Sequence, residues 1–391
     1  MRYAAVTTAL QGLGGEKWAV HARARALRAE GRQIIELTIG EPDVPTPPAL
    51  VEAAALAMAG GRTGYSNGRG EPALVRALAS RYTQRRGRTI TPDQVMCFPG
   101  TQTTLYAVMR ALAGPGDEVL VGDPLYATYE GVIASAGART VPVPLRPNMG
   151  FRIDEGDIAD RITPASRVIL LNTPHNPTGA VLTREGIIAI CKLAEKHDLW
   201  ILCDEVYEEM VFEGTTFASP LDLPEFAERL IVTSSISRSH AAPGFRSGWC
   251  VGPAEFCARL LPLSETMLFG NQPFIADMTT LAVSAPSTVA PGMVARFAAR
   301  AALIRERLEG KAGLRVNRPE AGMFLLVDVR SVCDSGEVFA RRLLDDKSVA
   351  VMPGESFGTA LQGWLRLSLT QPDEVIATAC DRIVELAGEM A

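Results

Sequence analysis

The sequence predicts an α/β protein in which a mainly parallel central sheet is flanked by helices and joined to a smaller α+β unit. Short, almost wholly apolar runs recur at 168–171, 199–203 and 231–233, the pattern of strands buried on both faces. Helical stretches alternate with them, as a parallel sheet requires. Each run then gives way to polar residues, which is where a doubly wound sheet holds its ligands, beyond the carboxyl ends of its strands.

Residues 16–31 read as an amphipathic helix, with Val20, Ala24 and Leu27 on one face and Gly31 as its stop. Ile34-Ile35-Glu36-Leu37 is a short strand that leads to Gly40 and Pro42, where a turn allows close backbone approach. A helix is expected over 47–60, then a loop around Tyr65 too rich in glycine for regular structure, then a helix over 71–86. A strand over 94–98 passes through Pro99 and Gly100 into a long helix that starts with Thr101, Gln102 and Thr103 and ends near Ala113. Free N–H groups, hydroxyls and the positive dipole end suit a phosphate there. Thr101 reads equally well as a plain N-cap.

Residues 117–121 form the next strand, which ends in Asp123-Pro124-Leu125-Tyr126. A helix through Tyr129 and Ile133 follows, and a strand over 139–143 whose Pro142 places it at a sheet edge. The strand at 167–171 runs into Asn172-Thr173-Pro174-His175-Asn176-Pro177-Thr178-Gly179, with His175 read as a loop residue. After a helix over 183–197, the strand at 199–203 is closed by Asp204-Glu205-Val206-Tyr207. The run at 231–233 passes into Ser234, Ser235, Ser237 and Ser239, then Gly244 and Arg246, a loop suited to an anion. Beyond it, 260–285 reads as mostly helical and 291–310 as one long helix. Strands near 313–316, 323–329 and 349–351 and helices over 336–344 and 372–390 complete the smaller unit. The expected division is 1–45 packing with the small domain, 46–285 as the large domain and 286–391 as the small one.

With 391 residues, 47% hydrophobic and 21% charged, the chain has the composition of a globular protein, and its net charge of −5 gives no basic field for nucleic acid. No stretch approaches the ~18–20 apolar residues of a membrane helix, so no membrane partner and a cytoplasmic location are expected. Seven scattered cysteines, an odd number, read as reduced core thiols rather than disulfides or a zinc site.

Taken together, GYxxxxG from Gly64, PGDEVL from Pro115, NxPxNPTG from Asn172, DEVY from Asp204, Ser235-x-Ser237-Arg238-x5-Gly244-x-Arg246-x-Gly248 and RLS from Arg366 resemble, in order and spacing, the fold type I, pyridoxal-phosphate-dependent aminotransferases of class I/II. The resemblance implies ping-pong transfer of an amino group between an amino acid and a 2-oxo acid in a homodimer. It implies that Tyr126 stacks on the pyridine, that Asp204 pairs with the ring nitrogen, and that Asn176 and Tyr207 reach the phenolic oxygen. Gly100, Thr101, Gln102, Ser235, Ser237 and Arg246 would surround the phosphate, with Tyr65 reaching it from the neighbouring subunit. Gly40, Asn176 and Arg366 would hold the substrate carboxylate. Aspartate is disfavoured as donor, since Gln102 stands where some aspartate-using members carry lysine, although Arg69 could substitute. Trp18, Val20 and Met323 would tolerate an aliphatic or aromatic side chain.

One position departs. The basic residue of the Ser-rich segment is, in the family, the lysine that carries the cofactor as a Schiff base; here it is Arg238. A guanidinium stays protonated and cannot attack an aldehyde. The lysines of the chain, Lys17, Lys192, Lys196, Lys311 and Lys347, fall on helices, helix ends or a C-terminal loop. Three accounts stay open: an introduced substitution, a natural loss of transamination, or another base, for which His240 is the candidate. The expectation is weak or non-covalent cofactor binding with little turnover. Outside transamination, a non-catalytic binding or regulatory protein and an elimination or decarboxylation enzyme on the same fold remain alternatives.

Overall fold

The computed structural model describes all 391 residues. A two-residue strand β1 (Ile35–Glu36) comes first. Seven strands then build one sheet: β2 (Val95–Phe98), β3 (Glu118–Asp123), β4 (Arg139–Pro144), β5 (Ser166–Asn172), β6 (Trp200–Asp204), β7 (Leu230–Ser235) and β8 (Gly248–Val251). The last five are β9 (Arg315–Val316), β10 (Phe324–Asp328), β11 (Val349–Ala350), β12 (Met352–Pro353) and β13 (Trp364–Ser368).

The large sheet has the order β2-β8-β7-β6-β5-β3-β4. Its β7-β6-β5-β3-β4 stretch is parallel throughout, and β8 alone runs against its neighbours β7 and β2. β4 is the edge strand, and Pro142 sits in it opposite Val121, as a residue without an N–H requires. Successive residues of the central strands enter opposite cores. Leu120, Ile169, Ile201 and Val232 pack on one face, while Val119, Val168, Leu202 and Ile231 pack on the other. Both faces being apolar is why these runs read as continuous rather than alternating.

The second body packs the four-stranded sheet β12-β13-β10-β9 against the long helices Ala290–Leu308 and Asp373–Met390. The helix Ala19–Ala29 buries Val20, Ala24 and Leu27 in that same core, on the face its spacing predicts. β1 pairs in parallel with β11, and Asp43 accepts from Arg296 and Arg300 at 2.8 Å each, so the N-terminal segment is fastened to this body. The rim of the large sheet is fastened too. Leu125 donates its N–H to Phe357, and Asp123 accepts from the Thr359 hydroxyl at 2.8 Å.

Several elements differ from the sequence reading. The strand expected over 34–37 is two residues long. The stretch 260–285 is two helices, Ala254–Met267 and Pro273–Val283, separated where Gly270 takes a positive φ and Pro273 starts the next one. Val20 and Met323 lie in the small-body core, with exposures of 3% and 0%, so neither lines a substrate pocket. No helix is long and apolar enough to cross a membrane, and all seven cysteines are free thiols, six of them buried.

Candidate active site

The parallel strands β3, β5, β6 and β7 end side by side, each on a polar residue: Asp123, Asn172, Asp204 and Ser235. Asn172 lies directly opposite Asp204 in the ladder. Beyond the tips of β5, β6 and β7 is a cavity of about 140 Å³ lined by Thr101, Gln102, Tyr126, Tyr129, Asn176, Asp204, Tyr207, Ser235, Ser237, Arg238 and Arg246, among others. Residues spread over 146 positions of the chain, from Thr101 to Arg246, thus meet in one space.

At its floor Asp204 is 4% exposed. One carboxylate oxygen accepts from the Tyr129 hydroxyl at 2.9 Å and the other from the Val206 N–H at 3.2 Å. Burial pushes the acid up, to about 6; the Tyr129 and Val206 hydrogen bonds and the charge of Arg238 oppose this without cancelling it. No basic side chain bonds this carboxylate. The floor is therefore a buried acid with no basic hydrogen-bond partner.

Tyr126 stands at the wall, edge-on to Tyr129 with centroids 5.5 Å apart. Asn176 donates its N–H to Asn172 and accepts from Arg366 at 3.1 Å. Asn172 also donates to the Asp204 carbonyl at 3.0 Å, locking the tips of β5 and β6 together.

The opposite end brings a helix start and a guanidinium together. Gly100, with φ of +85°, is the N-cap of the helix Thr101–Leu112. A Cβ there would meet the Arg246 guanidinium at 2.2 Å, so only glycine lets that side chain lie across the helix start. The Thr101 hydroxyl is buried without a hydrogen-bond partner. Thr101 is thus not the cap, contrary to the simpler sequence reading, and its hydroxyl is free for a ligand. Gly100→Ala is expected to cost about 1–3 kcal/mol through backbone strain and to displace Arg246. Urea denaturation should show the first effect and weakened phosphate-ester binding the second; an unchanged midpoint would refute the strain argument.

Arg366 lies on β13, 1% exposed, between the rings of Phe324 and Phe357 at 3.9 and 4.4 Å. It donates to the Thr38 carbonyl at 2.6 Å, and its Nε has no partner. Arg238 is half-buried over the Tyr207 ring at 5.8 Å and donates to the Gly40 carbonyl. A Cβ at Gly40 would strike Phe324 at 2.2 Å, which keeps that carbonyl within reach.

The other expected residues are placed as follows. Ser235 and Ser237 line the cavity, the Ser235 hydroxyl accepting the Ser237 N–H at 3.3 Å. Gln102 lines it and accepts from Thr128 at 2.9 Å. Tyr65 is 95% exposed beside Phe269, away from its own chain's cavity. Arg69 donates to the carbonyls of Asp93 and Val95 and is not at the site. His240 is 4% exposed, bonded through Nδ1 to Ser239 at 2.9 Å and outside the cavity, which removes it as the alternative base. Lys17 pairs with Glu130 and Lys347 with Glu385 and Glu389, and no lysine lines the cavity. Sequence reasoning missed Tyr129 and the bridging role of Asn172. Tyr129 opens the helix three residues after Tyr126, and a second tyrosine so close to the strand tip was the available signal.

The family model for aminotransferase class I and II matches residues 32–383. The chain belongs to this aminotransferase family. It is 42% identical over 390 residues to the arginine–pyruvate transaminase of Pseudomonas aeruginosa, covering 100% of this chain and 99% of that protein. It is 33% identical to the aspartate/prephenate aminotransferase of Thermus thermophilus, over 95% of each. Among solved structures, this aminotransferase resembles the aspartate aminotransferase of Thermus thermophilus with maleate, at a TM-score of 0.92, 31% identity and coverage of 99% and 100%. It also resembles that of Rhizobium meliloti, at a TM-score of 0.94 and 25% identity over the whole of both chains. The fold is therefore type I, and the cofactor of the class is pyridoxal phosphate.

Proposed function

We propose that this aminotransferase holds pyridoxal phosphate in the described cavity, that it is built to move an amino group between an L-amino acid and a 2-oxo acid, and that Arg238, standing where the class carries its lysine, impairs that transfer. The carrying observation is Asp204, a buried acid without a basic partner beneath a wall of aromatic and amide groups. The orphaned Thr101 hydroxyl and the Gly100 cradle fit the phosphate independently.

When bound, the cofactor supplies an electron sink for chemistry at the substrate Cα. The chain supplies the rest. Asp204 would hold a proton at the ring nitrogen, with Tyr129 fixing the carboxylate. Asn176 and Tyr207 would hold the phenolic oxygen, and Tyr126 would orient the ring. Thr101, Ser235, Ser237 and Arg246 would hold the phosphate. Arg366, gripped between two phenylalanines, would take the substrate carboxylate. Completion of the phosphate site by Tyr65 from a second copy is part of the proposal, supported by its exposure. The arginine–pyruvate relative makes L-arginine and pyruvate the first pair to test.

Arg238 can neither anchor the cofactor covalently nor accept a proton. Equilibrium dialysis should show cofactor that binds and then washes out, and borohydride reduction with peptide mapping should find no pyridoxyl-lysine. An adduct on any of the five lysines would overturn the impairment; no retention at all in dialysis would overturn the cofactor site.

A further inference from the structure

Arg238 and Arg366 bring two positive charges to one place. Arg238 donates to the Gly40 carbonyl, and Arg366 to the Thr38 carbonyl and the Asn176 amide oxygen; Gly40 and Thr38 are two residues apart and so only about 7 Å from each other in extended chain. Neutral carbonyl and amide dipoles do not neutralise two guanidiniums. The one carboxylate lining the cavity, Asp204, is engaged by Tyr129 and Val206. The Arg366 Nε, in a residue 1% exposed, has no acceptor whatever. Burial lowers the Arg366 pKa to about 9, with Arg238 acting in the same direction, which still leaves Arg366 cationic at neutral pH. Such a pair calls for an anion.

The second guanidinium also decides which anion. An amine that can lose its proton tolerates an α-ammonium beside it, whereas a guanidinium stays charged and repels it. A 2-oxo acid carries the same carboxylate with no amine charge, and its carbonyl oxygen accepts where the ammonium would only donate. We propose that Arg238 and Arg366 form a two-guanidinium seat for a 2-oxo acid, with the carboxylate on Arg366 and the carbonyl oxygen on Arg238, and that this seat excludes the matching α-amino acid. The chain is thereby a 2-oxo acid binder. This deepens the functional reading above and rests on it, since Arg238 lines the cavity and Arg366 meets it through Asn176, but it needs no covalent step.

The test is calorimetric titration of the purified chain with pyruvate and with L-alanine, which share a skeleton. Pyruvate should bind at least about tenfold more tightly, the scale expected of one like-charge contact at partial burial. Arg238→Gln keeps a donor without the charge and should level the preference while carboxylate binding persists. Arg238→Met should do the same, so misfolding of one variant leaves the other as the control. Equal or tighter binding of L-alanine, no binding of either, or a preference that survives both substitutions would overturn the seat. The dialysis with pyridoxal phosphate reports separately. Lost cofactor binding with the pyruvate preference intact would sink the cofactor site alone, and retained cofactor without the preference would sink the seat alone.

Discussion

Arg238→Lys is expected to raise turnover with L-arginine and pyruvate by on the order of 10³-fold and to make cofactor retention covalent. The magnitude is that of installing one positioned proton-transfer group, about 10²–10⁴-fold, on a site whose other contacts are in place. Residue 238 leaves the strand tip of β7 directly into the cavity, half-buried and over Tyr207. A lysine there inherits a position near Arg366, and a neighbouring cation favours its neutral, nucleophilic form. Steady-state rates, together with borohydride trapping mapped to residue 238, check both parts. A variant that traps the cofactor there yet shows no transfer with any donor would instead favour the non-catalytic alternative. Elimination or decarboxylation products would point to the third reading.

Asp204→Asn should produce two opposite effects. The acid is raised from 3.8 to about 6 by burial, so between those values the folded state binds more protons than the unfolded one. Stability therefore falls as pH rises through that window, and the full penalty is present above it. A shift of about two units corresponds to about 3 kcal/mol. Asp204→Asn should remove that penalty, so the cofactor-free chain gains stability at pH 7–8 and gains nothing below about pH 4. Urea midpoints across pH should show the difference opening between pH 4 and 6. In the same variant, cofactor affinity and the activity of the lysine revertant should drop by about 100-fold or more, since a neutral amide cannot hold a charge-assisted proton on the ring. A substitution that destabilises at pH 8, or leaves affinity unchanged, would contradict the role of the acid.

The parallel strands were legible in the sequence because they are buried on both faces, so their apolar runs are unbroken and their polar tips abrupt. Asp123, Asn172, Asp204 and Ser235 mark those tips without any coordinates. Within the large sheet, the one strand that runs against its neighbours, β8, was hidden. Gly-Trp-Cys-Val follows directly on the arginine loop, and nothing in four residues tells the direction of pairing. His240 was misjudged for a related reason. Spacing shows that it follows residue 238 by two positions, but not that the 3D path of the segment turns its ring away from the cavity. Thr101 was ambiguous because a hydroxyl at a helix start caps in most proteins. The cap here is the glycine before it, which leaves room for the arginine packed above. Tyr129 was read only as a helix residue, since its hydroxyl partner lies 75 positions away.

Because the sheet tips that line the cavity come from strands far apart in the chain, no fragment of the protein can present the pocket in part. Chain segments around 101, 126, 176, 204 and 246 must all be aligned before any ligand is held. Ligands therefore gain nothing from early collapsed species and stabilise only the completed architecture. Occupancy of the pocket thereby doubles as a readout of correct folding.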